Sequence, residues 1–167
     1  MSIAKNDIIE QAIELERQSR DYYRQLGQKS VSRYAGPALE QLAREEQRHM
    51  DILQEYRKIT ALGETMALPD SSEYASLWET FTAALEDISR EIGLHTDELT
   101  VVQRAISMEE QGLALYRQAQ RDTLRQTGQA LFAFLAEQEV YHRDYLTKLL
   151  ERLMILYQEP PEARPQL

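Results

Sequence analysis

The stretch LAREEQRHMDIL at residues 42–53 places a histidine three positions after a glutamate, within a segment whose apolar residues recur every three or four positions. Residues i and i+3 lie on one face of an α-helix, about one turn apart, so Glu46 and His49 should point the same way. Leu42 and Leu53 fall on that same face. The pattern therefore predicts a helix whose Glu/His pair faces the protein interior.

The same arrangement occurs again in LAEQEVYHRDYL at residues 135–146, where Glu139 precedes His142 by three positions. The two stretches are 93 residues apart, and the same offset aligns AIELERQSRDYYRQ, from residue 12, with AISMEEQGLALYRQ, from residue 105. The offset pairs Glu16 with Glu109, Glu46 with Glu139, His49 with His142, and Tyr23 with Tyr116. An internal duplication of a two-helix unit is the economical explanation.

The composition is that of one globular domain, with 167 residues, 43% hydrophobic and 28% charged. A formal charge of −9 argues against nucleic acid as a partner. No apolar run reaches the roughly 18–20 residues that span a bilayer, and MSIAKNDIIEQ at the start does not resemble a signal peptide. We therefore expect no membrane partner and a cytoplasmic location. The chain has no cysteine, so oxygen and nitrogen must hold any metal.

Helical periodicity predicts four long helices, at about residues 7–29, 36–62, 97–124 and 128–157. Short joints at 30–36 and 125–127 would make two antiparallel helix hairpins. The longer connection, 63–96, should carry an extra amphipathic helix, because apolar residues recur there at helical spacing. These residues are Leu77, Phe81, Leu85, Ile88 and Ile92.

The expected fold is therefore all-α, a four-helix bundle within a single domain at residues 1–158. Hairpin 6–62 and hairpin 97–158 are joined by the crossover, 63–96, and the proline-rich residues 159–167 form a flexible tail. In such a bundle the four glutamates and two histidines would meet near mid-height.

Four buried carboxylates carry a charge of −4, and no lysine or arginine lies on the same helix stripes to compensate. Each unpaired buried carboxylate would cost several kcal/mol. Two divalent cations would neutralise the cluster. Carboxylate mixed with imidazole suits iron or manganese, and zinc is a further possibility.

The chain resembles the ferritin-like di-iron carboxylate proteins over about residues 6–157, in particular the erythrin domain of rubrerythrins. In that superfamily two helices each supply one Glu and two others each supply Glu-x-x-His. The resemblance implies a ferritin-like bundle that holds two iron ions. The implied roles are terminal ligands for Glu16 and Glu109, bridging ligands for Glu46 and Glu139, nitrogen ligands for His49 and His142, and hydrogen bonding near the site for Tyr23 and Tyr116.

The activity that this resemblance implies is reduction of hydrogen peroxide or dioxygen at a di-iron centre. A chain without cysteine lacks the rubredoxin domain of rubrerythrins, so an external donor protein or reductase would have to supply the electrons. Gly112 stands where some rubrerythrins carry an additional glutamate. We expect no haem, since Met50 and Met108 lie beside the stripes and are interpreted as core residues. A homodimer is expected, with the crossover helix covering the site or forming subunit contacts.

Three other functions fit the same residues. A ferroxidase would use ferrous iron as its substrate. A non-catalytic protein would use bound metal to hold the hairpins together. The acidic helices could instead serve mainly to bind a partner protein.

Overall fold

The computed structural model describes residues 5–29, 35–68 and 96–158, and every regular element within these ranges is an α-helix. The helices, α1 to α4, are Lys5–Lys29, Ala35–Leu62, Thr96–Asp122 and Gln126–Gln158. The predicted all-α class is confirmed, and the helix bounds agree with prediction to within a few residues. None of these helices is both long enough and apolar enough to cross a membrane. The extra helix predicted around residues 77–92 and the tail 159–167 lie outside the described residues.

Within each half of the chain the two helices pack along one another, α1 with α2 and α3 with α4. Arg57 of α2 contacts Glu10 near the start of α1, whereas Arg20 near the end of α1 donates to Gln47 at 2.7 Å. The order of these contacts makes α1 and α2 antiparallel. Residues 123–125 are the whole connection between α3 and α4, so these two helices are also antiparallel.

Contacts between the halves are antiparallel too. The hydroxyl of Tyr22, late in α1, donates to the carbonyl of Val101, early in α3, at 3.1 Å. Gly128 at the start of α4 lies so close to Tyr56 of α2 that a Cβ there would be 2.5 Å from the tyrosine hydroxyl. Consequently α2 and α3 run in the same direction, and the two ends that residues 69–95 connect lie at opposite ends of the assembly. This arrangement is compatible with a four-helix bundle.

The interior consists of two apolar clusters separated by a polar layer. The buried residues of one cluster are Ile9, Ala12, Leu53, Tyr56, Leu113, Tyr116, Ala119, Leu131, Phe132, Phe134, Leu135 and Ala136. Those of the other are Tyr23, Ala38, Leu42, Ala43, Val102, Ala105, Tyr145, Leu146, Leu149 and Leu153. Each helix contributes apolar residues to both clusters, and the buried polar residues of that helix lie between these two sets along the chain. The polar layer is therefore closed off by hydrophobic packing above and below.

The C-terminus of α2 shows why that helix ends where it does. Gly63 adopts a positive φ of 78°, which a residue without Cβ adopts at little steric cost. Its amide donates to the Thr60 carbonyl at 3.2 Å, and the Glu64 amide donates to the Ile59 carbonyl at 3.1 Å. This pair of bonds is the Schellman arrangement, which satisfies carbonyls that the last helical turn leaves free.

Candidate metal centre

The polar layer is unusually acidic for a protein interior. Its buried polar residues are Glu16, Ser19, Glu45, Glu46, His49, Glu109, Gln138, Glu139 and His142. No lysine or arginine is among the buried residues of the described ranges. Five carboxylates therefore share a water-poor layer in which the only side chains able to carry positive charge are two imidazoles.

The first set of converging side chains, here called the His49 group, consists of Glu16, Glu46, His49 and Glu139. The Nδ1 atom of His49 lies 3.1 Å from Glu46 Oε2, 3.3 Å from Glu139 Oε1 and 3.5 Å from Glu16 Oε2. Residues from α1, α2 and α4 therefore meet at one point, where the side chains of Glu46 and His49 are both fully buried.

The second set, the His142 group, consists of Glu46, Glu109 and His142. The Nδ1 atom of His142 lies 3.2 Å from Glu46 Oε1 and 3.5 Å from Glu109 Oε2. Glu46 thus contributes one oxygen to each group, and it is the residue that joins them. The two imidazoles stack with their ring centroids 5.5 Å apart and their planes at 20°.

Two buried tyrosines support the carboxylates of the opposite half of the chain. The hydroxyl of Tyr23 on α1 donates to Oε1 of Glu109 on α3, and the hydroxyl of Tyr116 on α3 donates to Oε1 of Glu16 on α1. Both rings are fully buried. Each bond orients one carboxylate, and leaves its second oxygen, Oε2, facing a histidine.

The donor set fits a pair of cations. In each group the ligand atoms lie within 4.8 Å of one another, so the buried Glu/His groups could hold metal. Seven buried atoms of these side chains have no hydrogen-bond partner: both oxygens of Glu46, both ring nitrogens of His49, Glu109 Oε2, Glu139 Oε1 and His142 Nδ1. A polar atom buried without a partner costs about 1–3 kcal/mol, and more if charged. Coordination to cations would satisfy these atoms, apart from one ring nitrogen of His49, and would cancel the negative charge of the carboxylates.

Without metal, several of these buried side chains have shifted pKa values. Burial raises the pKa of Glu139, and the charges of Glu16, Glu109 and Glu46 raise it further, to well above its ordinary value of 4.5. Burial alone would raise the pKa of Glu16 as well, but the charge of His49 and contacts with neighbouring groups outweigh it and lower that pKa. In the metal-free layer Glu139 therefore keeps its proton to a higher pH than an ordinary glutamate does, and Glu16 loses its proton at a lower pH.

The two histidines also bind protons more tightly in the metal-free layer than ordinary histidines do. Burial by itself would lower the pKa of His49, but the charge of Glu16 and contacts with Glu139, Glu16 and Glu46 raise it well above 6.5. His142 has its pKa raised well above 6.5 as well, because the charge of Glu46 and contacts with Glu109 and Glu46 outweigh burial.

Metal loading is therefore expected to release protons at neutral pH. Ligation needs Glu139 deprotonated and a free lone pair on His49 and His142, all of which have raised pKa values without metal. Protons compete with the metal, so affinity should fall as the pH falls from 8 to 6. A weakly buffered solution with a pH indicator would measure the release during Co²⁺ addition, with Co²⁺ added to buffer alone as control. Uptake without proton release and with constant affinity over this range would contradict the prediction.

The raised pKa values also give the metal-free protein a pH-dependent stability. A group that binds its proton more tightly in the folded state stabilises the fold below its unfolded pKa and loses that contribution as the pH rises through its folded pKa. Glu139 loses its contribution from about pH 4.5 upward, and the histidines from about 6.5 upward. Both effects have the same sign, so the metal-free form should weaken as the pH increases above neutrality.

The structure brings the six predicted glutamates and histidines into this one layer, and the two predicted tyrosines contact it from the adjacent apolar clusters through their hydroxyls. Sequence reasoning missed Glu45 and Gln138, each 2% exposed and each one position before a predicted bridging glutamate. Glu45 accepts a 2.6 Å hydrogen bond from Gln41, and Gln138 Nε2 is buried without a hydrogen-bond partner. The 93-residue offset pairs these two positions, which is the signal that could have found them.

Comparison with known proteins does not assign the chain to a family. No model of a protein family, no curated protein and no solved structure matches the chain.

Proposed function

We propose that this chain is a di-iron carboxylate oxidoreductase of the rubrerythrin type, with a ferritin-like fold that arose by duplication of a helix hairpin. It would reduce hydrogen peroxide or dioxygen with electrons from an external donor. The observation that carries the proposal is the position of Glu46, a fully buried residue whose two oxygens face two different histidines. A carboxylate in that position suits a bridge between two metal ions.

The residues around the layer would each contribute to binding. Glu16 would be a ligand of one ion and Glu109 a ligand of the other. The tyrosine hydroxyls would fix the orientation of these two carboxylates. Glu46 would span the pair, and His49 and His142 would supply one nitrogen to each ion. The apolar clusters on both sides limit the access of water to the layer.

When bound, two ferrous ions supply one electron each, which together with two protons convert one hydrogen peroxide molecule into two of water. The protein's own contribution is to keep the ions in place through both oxidation states. Carboxylate ligands suit this role because they are hard oxygen donors that bind ferrous and ferric iron alike.

The test is anaerobic loading of the metal-free chain with two equivalents of Fe²⁺, followed by one equivalent of hydrogen peroxide. We expect oxidation much faster than that of free Fe²⁺ in the same buffer, near-ultraviolet absorption from the ferric pair, and iron that stays with the protein on gel filtration. Reduction followed by a second addition of peroxide should give the same response again.

The alternative functions give different results in this experiment. A ferroxidase would oxidise many equivalents of added Fe²⁺ and accumulate or release the ferric product. A purely structural metal site would oxidise iron no faster than buffer does, and its Zn²⁺ form would be as stable as its iron form. Either result would overturn the proposed activity, and failure to bind any metal would overturn the site itself.

A further inference from the structure

The two metal-binding groups are not equivalent. The His49 group has four residues and the His142 group has three, although the 93-residue offset relates most of their members. The offset pairs Glu46 with Glu139, but only Glu46 belongs to both groups. The difference therefore lies in how Glu139 is placed.

The two oxygens of Glu46 face two histidines, whereas only one oxygen of Glu139 faces a histidine. Its Oε1 lies 3.3 Å from His49 Nδ1, within the first group. Its Oε2 lies next to the backbone of α3 at Gly112, where an added Cβ would be 3.0 Å from Oε2 and 3.1 Å from the carboxyl carbon. Contacts this short are unfavourable, so the carboxylate of Glu139 occupies room that exists because residue 112 has no side chain.

The 93-residue offset pairs Ser19 with Gly112 in the sequence. The other half of the chain therefore has a Cβ and a hydroxyl at the corresponding position. Ser19 is buried in the same layer. Glycine inside a helix is less favourable than alanine, because it loses more backbone freedom on folding. At residue 112 the glycine is accompanied by an orientation of Glu139 that differs from that of its counterpart, Glu46.

We infer that Gly112 makes the two metal positions unequal, so that the His49 group binds the first ion and the His142 group binds the second more weakly. This inference rests on the metal site of the proposed function, but not on its redox activity. The first position has three carboxylates and one imidazole, whereas the second has two carboxylates and one imidazole. The additional carboxylate adds both a ligand and a negative charge, and each favours a divalent cation.

Titration of the metal-free full chain with Co²⁺, followed by calorimetry and visible absorption, tests the order of binding. We expect two steps whose affinities differ at least tenfold. E16Q removes a ligand found only in the His49 group and should weaken the first step by about tenfold or more, on the scale of typical losses at metal sites. E109Q is the matched variant in the His142 group and should weaken the second step. Two ions bound with equal affinity, or equal effects of E16Q and E109Q on one step, would overturn the inference.

A second pair of variants tests the part played by Gly112. G112A places a methyl group in the room that Glu139 uses, and it should reduce the difference between the two steps to about threefold or less. S19A changes the corresponding position without adding a Cβ and should keep the difference. G112S is a second variant of residue 112, and it introduces the side chain that the corresponding residue, Ser19, carries. If both Gly112 variants fold, as judged by circular dichroism, and still bind in two widely separated steps, the role of Gly112 is refuted.

The same titration separates this inference from the proposed function. Two Co²⁺ ions bound in one indistinguishable step would leave the metal site intact and refute the inequality. Absence of Co²⁺ and Fe²⁺ uptake would refute both.

Discussion

E46Q is expected to abolish the uptake of two metal ions per chain. Glu46 is the one residue found in both metal-binding groups, and each of its oxygens lies within 3.2 Å of a different histidine. Glutamine keeps the shape but removes the charge and replaces one oxygen with an NH₂ group that cannot coordinate a cation. We expect affinity to fall at least 100-fold, so that fewer than one ion remains per chain after gel filtration. Elemental analysis of the eluted protein measures this ratio.

E45Q provides the matched control for that variant. Glu45 is the neighbouring residue on α2, is also a glutamate and is 2% exposed, but it belongs to neither metal-binding group. Its carboxylate accepts a hydrogen bond from Gln41 and lies 3.6 Å from Arg48 Nη1. We expect E45Q to retain two ions. Retention of both ions by E46Q, or equal loss from both variants, would contradict the assignment of the site.

Metal loading should raise the thermal stability of the fold by a large amount. A ligand that binds only the folded state, at a free concentration of 1,000 times its Kd, contributes about 4 kcal/mol per site. Two such ions would contribute about 8 kcal/mol, and each kcal/mol shifts the unfolding temperature of a chain of this size by roughly 2–4 °C. Loaded protein should therefore unfold at least about 15 °C above protein treated with a chelator, as measured by circular dichroism.

E46Q should lose most of this stabilisation by metal. Glu46 joins the two metal-binding groups, so E46Q removes the charged ligand that both ions would share. The unfolding temperature of E46Q is therefore expected to rise much less on addition of Co²⁺ than that of wild type. Equal unfolding temperatures for wild type with and without metal would contradict a site that neutralises buried charge.

The helices and the residues of the polar layer were predictable because both depend on local spacing. Apolar steps of three and four indicated each helix, and glutamates within those steps had to face the core. The Glu-x-x-His spacing placed each histidine one turn from its glutamate, as the structure shows for Glu46 and His49. Residues 69–95 contribute nothing to this comparison, since the predicted crossover helix lies outside the described residues.

The contacts between helices could not be predicted in the same way. Tyr23 donates to Glu109 and Tyr116 donates to Glu16, so each tyrosine supports the other half of the chain and not its own helix. The burial of Glu45 and Gln138, and the turn of Glu139 toward Gly112, were equally unexpected. All of these depend on how side chains of neighbouring helices contact one another, and the sequence spacing within one helix carries no information on those contacts.

For this chain, sequence periodicity was enough to establish the helices, their inward faces and the six acidic and imidazole side chains on those faces. The reason is that an α-helix repeats every 3.6 residues whatever surrounds it. Packing of the four helices decided that Glu46 joins two groups while Glu139 serves one. That distinction follows from a close approach of α4 to a glycine on α3, and such an approach exists only when the two helices are in contact.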